Sequence, residues 1–84
     1  MVGKTKGDNE MGQITKNQVS IINYLKEHGS ANYMDLEPLI ETEHMDIFKA
    51  TIYCIAELKR DGIITMSAGV PATYTLSNYG RELL

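Results

Sequence analysis

The side chains with the widest chemical range are a single cysteine, Cys54, two histidines, His28 and His44, and a run of carboxylates between residues 35 and 46. A thiol with an imidazole can form a nucleophile pair, and thiol, imidazole and carboxylate together can hold a metal ion. Their spacing speaks against both uses. Cys54 falls beside Ile55 in a helical pattern, where a free cysteine behaves as a small hydrophobe. His28 and His44 stand alone, far from each other and from the thiol. His28 falls at the end of a helical pattern, where the helix C-terminus favours its charged form, and reads as structural. The chain contains no glycine-rich phosphate loop, no nucleophile motif and no histidine–carboxylate interval of the kind that marks a metal site. It is also short for an enclosed substrate pocket. Catalysis is the least supported class, and neither cofactor nor metal is expected.

Size and composition narrow the classes further. Eighty-four residues make one domain with one modest core. The hydrophobic share of 43% and charged share of 23% are those of an ordinary globular protein. One cysteine permits no intrachain disulfide. No apolar run approaches the roughly 20 residues needed to cross a bilayer, and the N-terminus lacks the apolar core of a secretory signal. A cytoplasmic location without a membrane partner is the expectation. The formal net charge is −3, on the wrong side of the basic balance, with a pI above ~9, usual for nucleic-acid-binding domains. Net charge excludes little, because the field on the contacting face decides binding.

The stretch from Ala50 to Ile64 organises the chain. Phe48, Ile52, Ile55 and Leu58, with Thr51 between them, follow the helical interval and are expected to face the core. Asp46 is placed to cap this helix, and Lys59 and Arg60 fill its last turn, where cations complement the helix dipole. Gly62 supplies a helix stop, and the β-branched Ile63, Ile64 and Thr65 turn the chain to strand. Upstream, Thr15 and Gln18 fit a capping box for a first helix. That helix has Val19, Ile22 and Leu25 on its apolar face, Ile21 alongside, and Gly29 as its end. Residues 30–33 allow one brief strand. Asp35 is expected to cap a second short helix reaching about Glu41, with Pro38 in its first turn and Leu36, Leu39 and Ile40 on its apolar side. Beyond Gly62, Ile63–Met66 and Ala72–Leu76 read as paired strands joined across Gly69 and Pro71, with Tyr74 and Leu76 on one face. Ser77 or Asn78 caps a final turn. Residues 1–12 read as a flexible N-terminal arm and residues 13–84 as the folded domain.

The passage Ala50-Thr51-Ile52-Tyr53 through Leu58-Lys59-Arg60-Asp61-Gly62-Ile63-Ile64, followed by Tyr74-Thr75-Leu76-Ser77-Asn78-Tyr79-Gly80-Arg81-Glu82-Leu83-Leu84, resembles the winged helix-turn-helix superfamily. The likeness is to transcriptional regulators of the MarR and PadR kind and covers about residues 14–84. It implies a mainly α fold with a small antiparallel β-hairpin, a three-helix core plus wing. It also implies a recognition helix in the major groove of double-stranded DNA, and a homodimer. Carried over by position, Lys49, Ala50 and Tyr53 face outward. Lys49 meets a phosphate or a guanine edge, and Tyr53 a phosphate or a thymine methyl. Arg60 lies further along the helix. Lys4 and Lys6 are available to trail along the phosphate backbone.

Two departures from that family support a second reading. Asp35, Glu37, Glu41, Glu43 and Asp46 are unrelieved by any lysine or arginine, and residues 62–76 carry no charge. Few phosphates can then be neutralised per protomer. The alternative is a winged-helix module that binds another protein through its acidic second helix or uncharged wing.

Overall fold

The computed structural model describes residues 14–83, and Lys4 and Lys6 lie outside them. The chain is mainly helical. Helices α1 (Lys16–His28), α2 (Tyr33–Leu36) and α3 (Ile47–Arg60) precede an antiparallel hairpin of β1 (Ile64–Ser67) and β2 (Thr73–Leu76), and a short α4 (Asn78–Glu82) closes it. No helix among the described residues is long and apolar enough to cross a membrane.

Helix α1 begins with the expected capping box. The Gln18 amide donates to Thr15 Oγ1 at 3.2 Å, and the Thr15 amide donates to Gln18 Oε1 at 3.0 Å. It ends at Gly29, whose φ of 89° lies in the region glycine adopts without a Cβ penalty. Its buried face is Gln18, Ile21, Ile22 and Leu25, with Val19 only half-buried. Gln18 takes the place expected of Val19 because its amide group is satisfied there: Nε2 donates to Glu57 Oε1 at 3.1 Å. A buried polar side chain is tolerated when it keeps its hydrogen bonds.

The second helix starts three residues earlier than expected and is shorter. Asn32, not Asp35, is its cap, and Asp35 is the reciprocating residue. The Asp35 amide donates to Asn32 Oδ1 at 3.0 Å and the Asn32 amide to Asp35 Oδ2 at 3.1 Å. A 3-10 turn, Glu37–Leu39, follows with Pro38 near its start, and Ile40 is already extended. Leu36 and Ile40 are buried as expected, and Leu39 packs against them in part.

Helix α3 is capped by Asp46, whose Oδ2 accepts from the Lys49 amide at 3.2 Å. Its phase differs from the expected one. Thr51, Cys54, Ile55 and Leu58 are buried, whereas Phe48 and Ile52 remain 56% and 39% exposed. Thr51 can turn inward because its hydroxyl donates to the Ile47 carbonyl at 2.7 Å, leaving no unsatisfied polar group. Cys54 is buried beside it, and Phe48 lies on the flank against Tyr33.

The exit from α3 is a Schellman motif. Gly62, with φ of 76°, donates to Lys59 O at 3.1 Å, and Ile63 donates to Leu58 O at 2.9 Å. Ile63 and Leu58 are both buried, so the motif also delivers the chain into the core. The strands pair Ile64 with Leu76, Thr65 with Thr75, Met66 with Tyr74 and Ser67 with Thr73. Residues 30–33 contribute one isolated bridge, Ala31 to Tyr74, closed by hydrogen bonds of 3.1 and 2.7 Å. Tyr74 and Leu76 share the inner face as expected, Leu76 buried and Tyr74 packed in part. Ser77 caps α4, accepting from the Gly80 amide at 3.0 Å, and its hydroxyl reaches the Gly62 and Ile63 carbonyls at 2.5 and 3.0 Å.

Candidate nucleic-acid interface

Lys49 and Tyr53 stand on the solvent face of α3, and Arg60 continues that face three turns on. Arg60 lies eleven positions after Lys49, about 16 Å along the axis at the α-helical rise. Tyr53 is 58% exposed. Lys49 is exposed and makes no ion pair among the described residues. Ala50 corrects the expectation. It is half-buried and packs against the core rather than facing outward, because it lies on the flank turned toward α1.

The electrostatics of this face depend on where the carboxylates go. Glu57 is the single acid within α3, and it is turned to the α1 side, bonded to Gln18. The run from Asp35 to Asp46 is largely committed to local structure. Asp35 completes the α2 capping box. Glu37 accepts from the Tyr33 hydroxyl at 2.6 Å. Glu41 pairs with Lys16 at 2.9 Å, Glu43 lies 3.7 Å from His44, and Asp46 caps α3. Asp46 nevertheless shares a shallow groove with His44, Met45, Lys49 and Tyr53. Its charge opposes an anion at that end of the helix. Arg60 Nε is partly committed as well, 3.2 Å from Asp61 Oδ1, and Lys59 Nζ lies 3.9 Å from Met66 Sδ, joining the helix face to β1.

Several residues that shape the site carry no signal in periodicity. Phe48 packs its ring at 5.6 Å and 51° against Tyr33. Burial and the Glu37 hydrogen bond raise the Tyr33 phenol above its ordinary pKa. Asn17 makes a reciprocal pair with the Glu41 backbone, donating at 2.9 Å and accepting at 3.0 Å. It fixes the segment that leads into α3. Its polar type at the edge of α1 is compatible with any surface position, so only the fold exposes its role. His28 stacks on Tyr24 with centroids 4.1 Å apart, in keeping with a structural residue. Cys54 is buried, and burial, with a smaller effect of Glu57, pushes its thiol up to about 11. A protonated thiol at neutral pH is a poor nucleophile and metal ligand. Among the described residues no three of histidine, cysteine, aspartate and glutamate converge as a metal site.

No protein-family model matches the chain, and comparison with curated proteins gives no match either. The functional reading rests on the face of α3.

Proposed function

We propose that this chain is a sequence-specific double-stranded DNA-binding protein of the winged helix-turn-helix type. In this reading it is a small cytoplasmic transcriptional regulator that works as a homodimer. Helix α3 enters the major groove and the β1–β2 hairpin is the wing. The observation that carries the reading is the solvent face of α3. Lys49, Tyr53 and Arg60 lie along it, and the helix's only carboxylate, Glu57, sits at its edge and is engaged by Gln18. The element order supports it. A strand-like bridge at Ala31 lies between α1 and α2, and α3 runs through a glycine stop directly into the hairpin.

The affinity of such a face is electrostatic first. Lys49, Lys59 and Arg60 offer three cations per protomer. Neutralising about three phosphates gives a slope near −2.7 in log affinity against log salt, or about 40-fold weaker binding between 50 and 200 mM salt, and the slope doubles in a dimer. Binding of the full chain to random duplex DNA, measured by fluorescence anisotropy at low and then moderate salt, tests this. Lys49→Glu is expected to abolish retention, and unchanged affinity would refute the docking of α3.

A second reading has its own observation. Met34 in α2 is 78% exposed, and on a hairpin without charge Met66 is 46% exposed and Val70 at the tip fully so. These surfaces suit a protein partner. Self-association that is insensitive to salt, together with no duplex binding, would favour this interaction module over the DNA reader.

A further inference from the structure

The side chains that α3 offers to a groove are unusual in what they lack. The helix has no asparagine or glutamine, and its one arginine, Arg60, is in the last turn beside Asp61. The bidentate contacts by which Asn and Gln read adenine are therefore missing from it, and in its first three turns only Lys49 can reach a guanine edge. Thr51 is turned inward and its hydroxyl is committed to Ile47. What remains exposed there, beside Lys49, the Tyr53 phenol and the Gln18-bonded Glu57, is carbon. Phe48, Ile52 and Ala56 are exposed at intervals of four, which makes one continuous row on the helix surface. Phe48 is braced by the Tyr33 ring, so the row is held in place rather than loose.

An apolar row pressed against base edges is selective. Carbonyl and amino edges that it covers lose water and gain no partner, which is unfavourable. In the major groove only thymine, or a methylated cytosine, presents a methyl group to it. Lys49 stands beside the start of the row, opposed there by Asp46, Lys59 and the Asp61-paired Arg60 stand at its end, and Glu57 is bonded to Gln18 on the other flank of the helix. Resting on the DNA-binding reading, we infer that the Phe48–Ile52–Ala56 row recognises duplex DNA through 5-methyl groups in the major groove. Its target half-sites are accordingly thymine-rich where α3 docks.

The test compares the full chain on an alternating A·T duplex and on the same duplex with deoxyuridine in place of thymidine, which removes only the methyl groups. The thymidine duplex is expected to bind tighter by about fourfold for each methyl covered. An alternating G·C duplex is expected to gain affinity when its cytosines carry 5-methyl groups. Ile52→Ser should bring the thymidine-to-deoxyuridine ratio toward one, with circular dichroism verifying that the variant is folded. Equal binding of the thymidine and deoxyuridine duplexes overturns the methyl inference and leaves DNA binding standing. Failure to bind any duplex at low salt overturns both, and would be the outcome if a second copy or another protein is what covers the row.

Discussion

Replacing Gly80 by alanine puts a methyl group where the structure has none to spare. Gly80 is buried in α4, and a Cβ built on it collides with the Ile63 carbonyl oxygen, lying also 3.1 Å from the Ile63 carbonyl carbon and 3.1 Å from Leu76 Cδ2. The carbonyl cannot move aside freely. It accepts from the Ser77 amide at 2.9 Å and from the Ser77 hydroxyl at 3.0 Å, so a shift strains both hydrogen bonds at the base of the hairpin. Overpacking of this kind costs about 1–3 kcal/mol, and each weakened hydrogen bond adds about 1 kcal/mol. Against this stands a gain of about 1 kcal/mol from the better helix propensity of alanine. The net expectation is a loss of about 3 kcal/mol, which lowers Tm by roughly 12–24 °C in a domain of this size. Thermal unfolding followed by circular dichroism at 222 nm, with urea titration alongside, measures it. Gly29→Ala is the comparison. Its φ of 89° imposes strain but nothing lies within 4 Å of the new Cβ, so packing does not contribute there. A Gly80→Ala protein that melts at or above the wild type would show that propensity prevails, and would refute the close approach of α4 to Ile63.

Three further expectations follow from local geometry. Asp46→Asn keeps an α3 cap of comparable strength, so stability should change by less than about 1 kcal/mol; it removes the anionic charge beside Lys49, so duplex affinity at low salt should rise, and a fall in anisotropy-derived affinity would contradict the proposed docking. Asn17→Ala removes both hydrogen bonds to the Glu41 backbone and should cost about 1–2 kcal/mol in urea unfolding, whereas no change would mean that the pair is not formed in solution. Cys54 should react with a disulfide reagent at pH 8 about a hundredfold more slowly in the folded chain than in denaturant, because raising its pKa from 9.0 to about 11 leaves little thiolate. The same shift sets a pH dependence. The folded state holds the proton more tightly than the unfolded one, so the contribution to stability is complete below about pH 9 and is lost as pH rises through 11.

Much of the architecture was legible before any coordinates, and the reason is that its determinants are local. The Thr15–Gln18 capping box, the Asp46 cap and the glycine stops at 29 and 62 each act within a few residues, so residue type and interval suffice to place them. The strand tendency of Ile63–Thr65 and the turn chemistry around Gly69 and Pro71 likewise located the hairpin. What could not be read were the features settled between distant segments. Thr51 enters the core as expected, its hydroxyl donating to the Ile47 carbonyl, but Cys54 joins it there in place of Phe48 and Ile52. That rotation of α3 buried Ala50 in part and exposed Phe48 and Ile52, so it rewrote the candidate site. The earlier start of α2 comes from Asn32, which takes the cap position and leaves Asp35 as the reciprocating residue of its capping box. Gln18 to Glu57 and Asn17 to Glu41 join residues 39 and 24 positions apart. A hydrogen bond between such residues has no periodicity to announce it. The sequence by itself therefore determined the elements and their ends. Only the tertiary structure decided which face of α3 meets solvent, because that choice depends on which side chains across the core can satisfy one another.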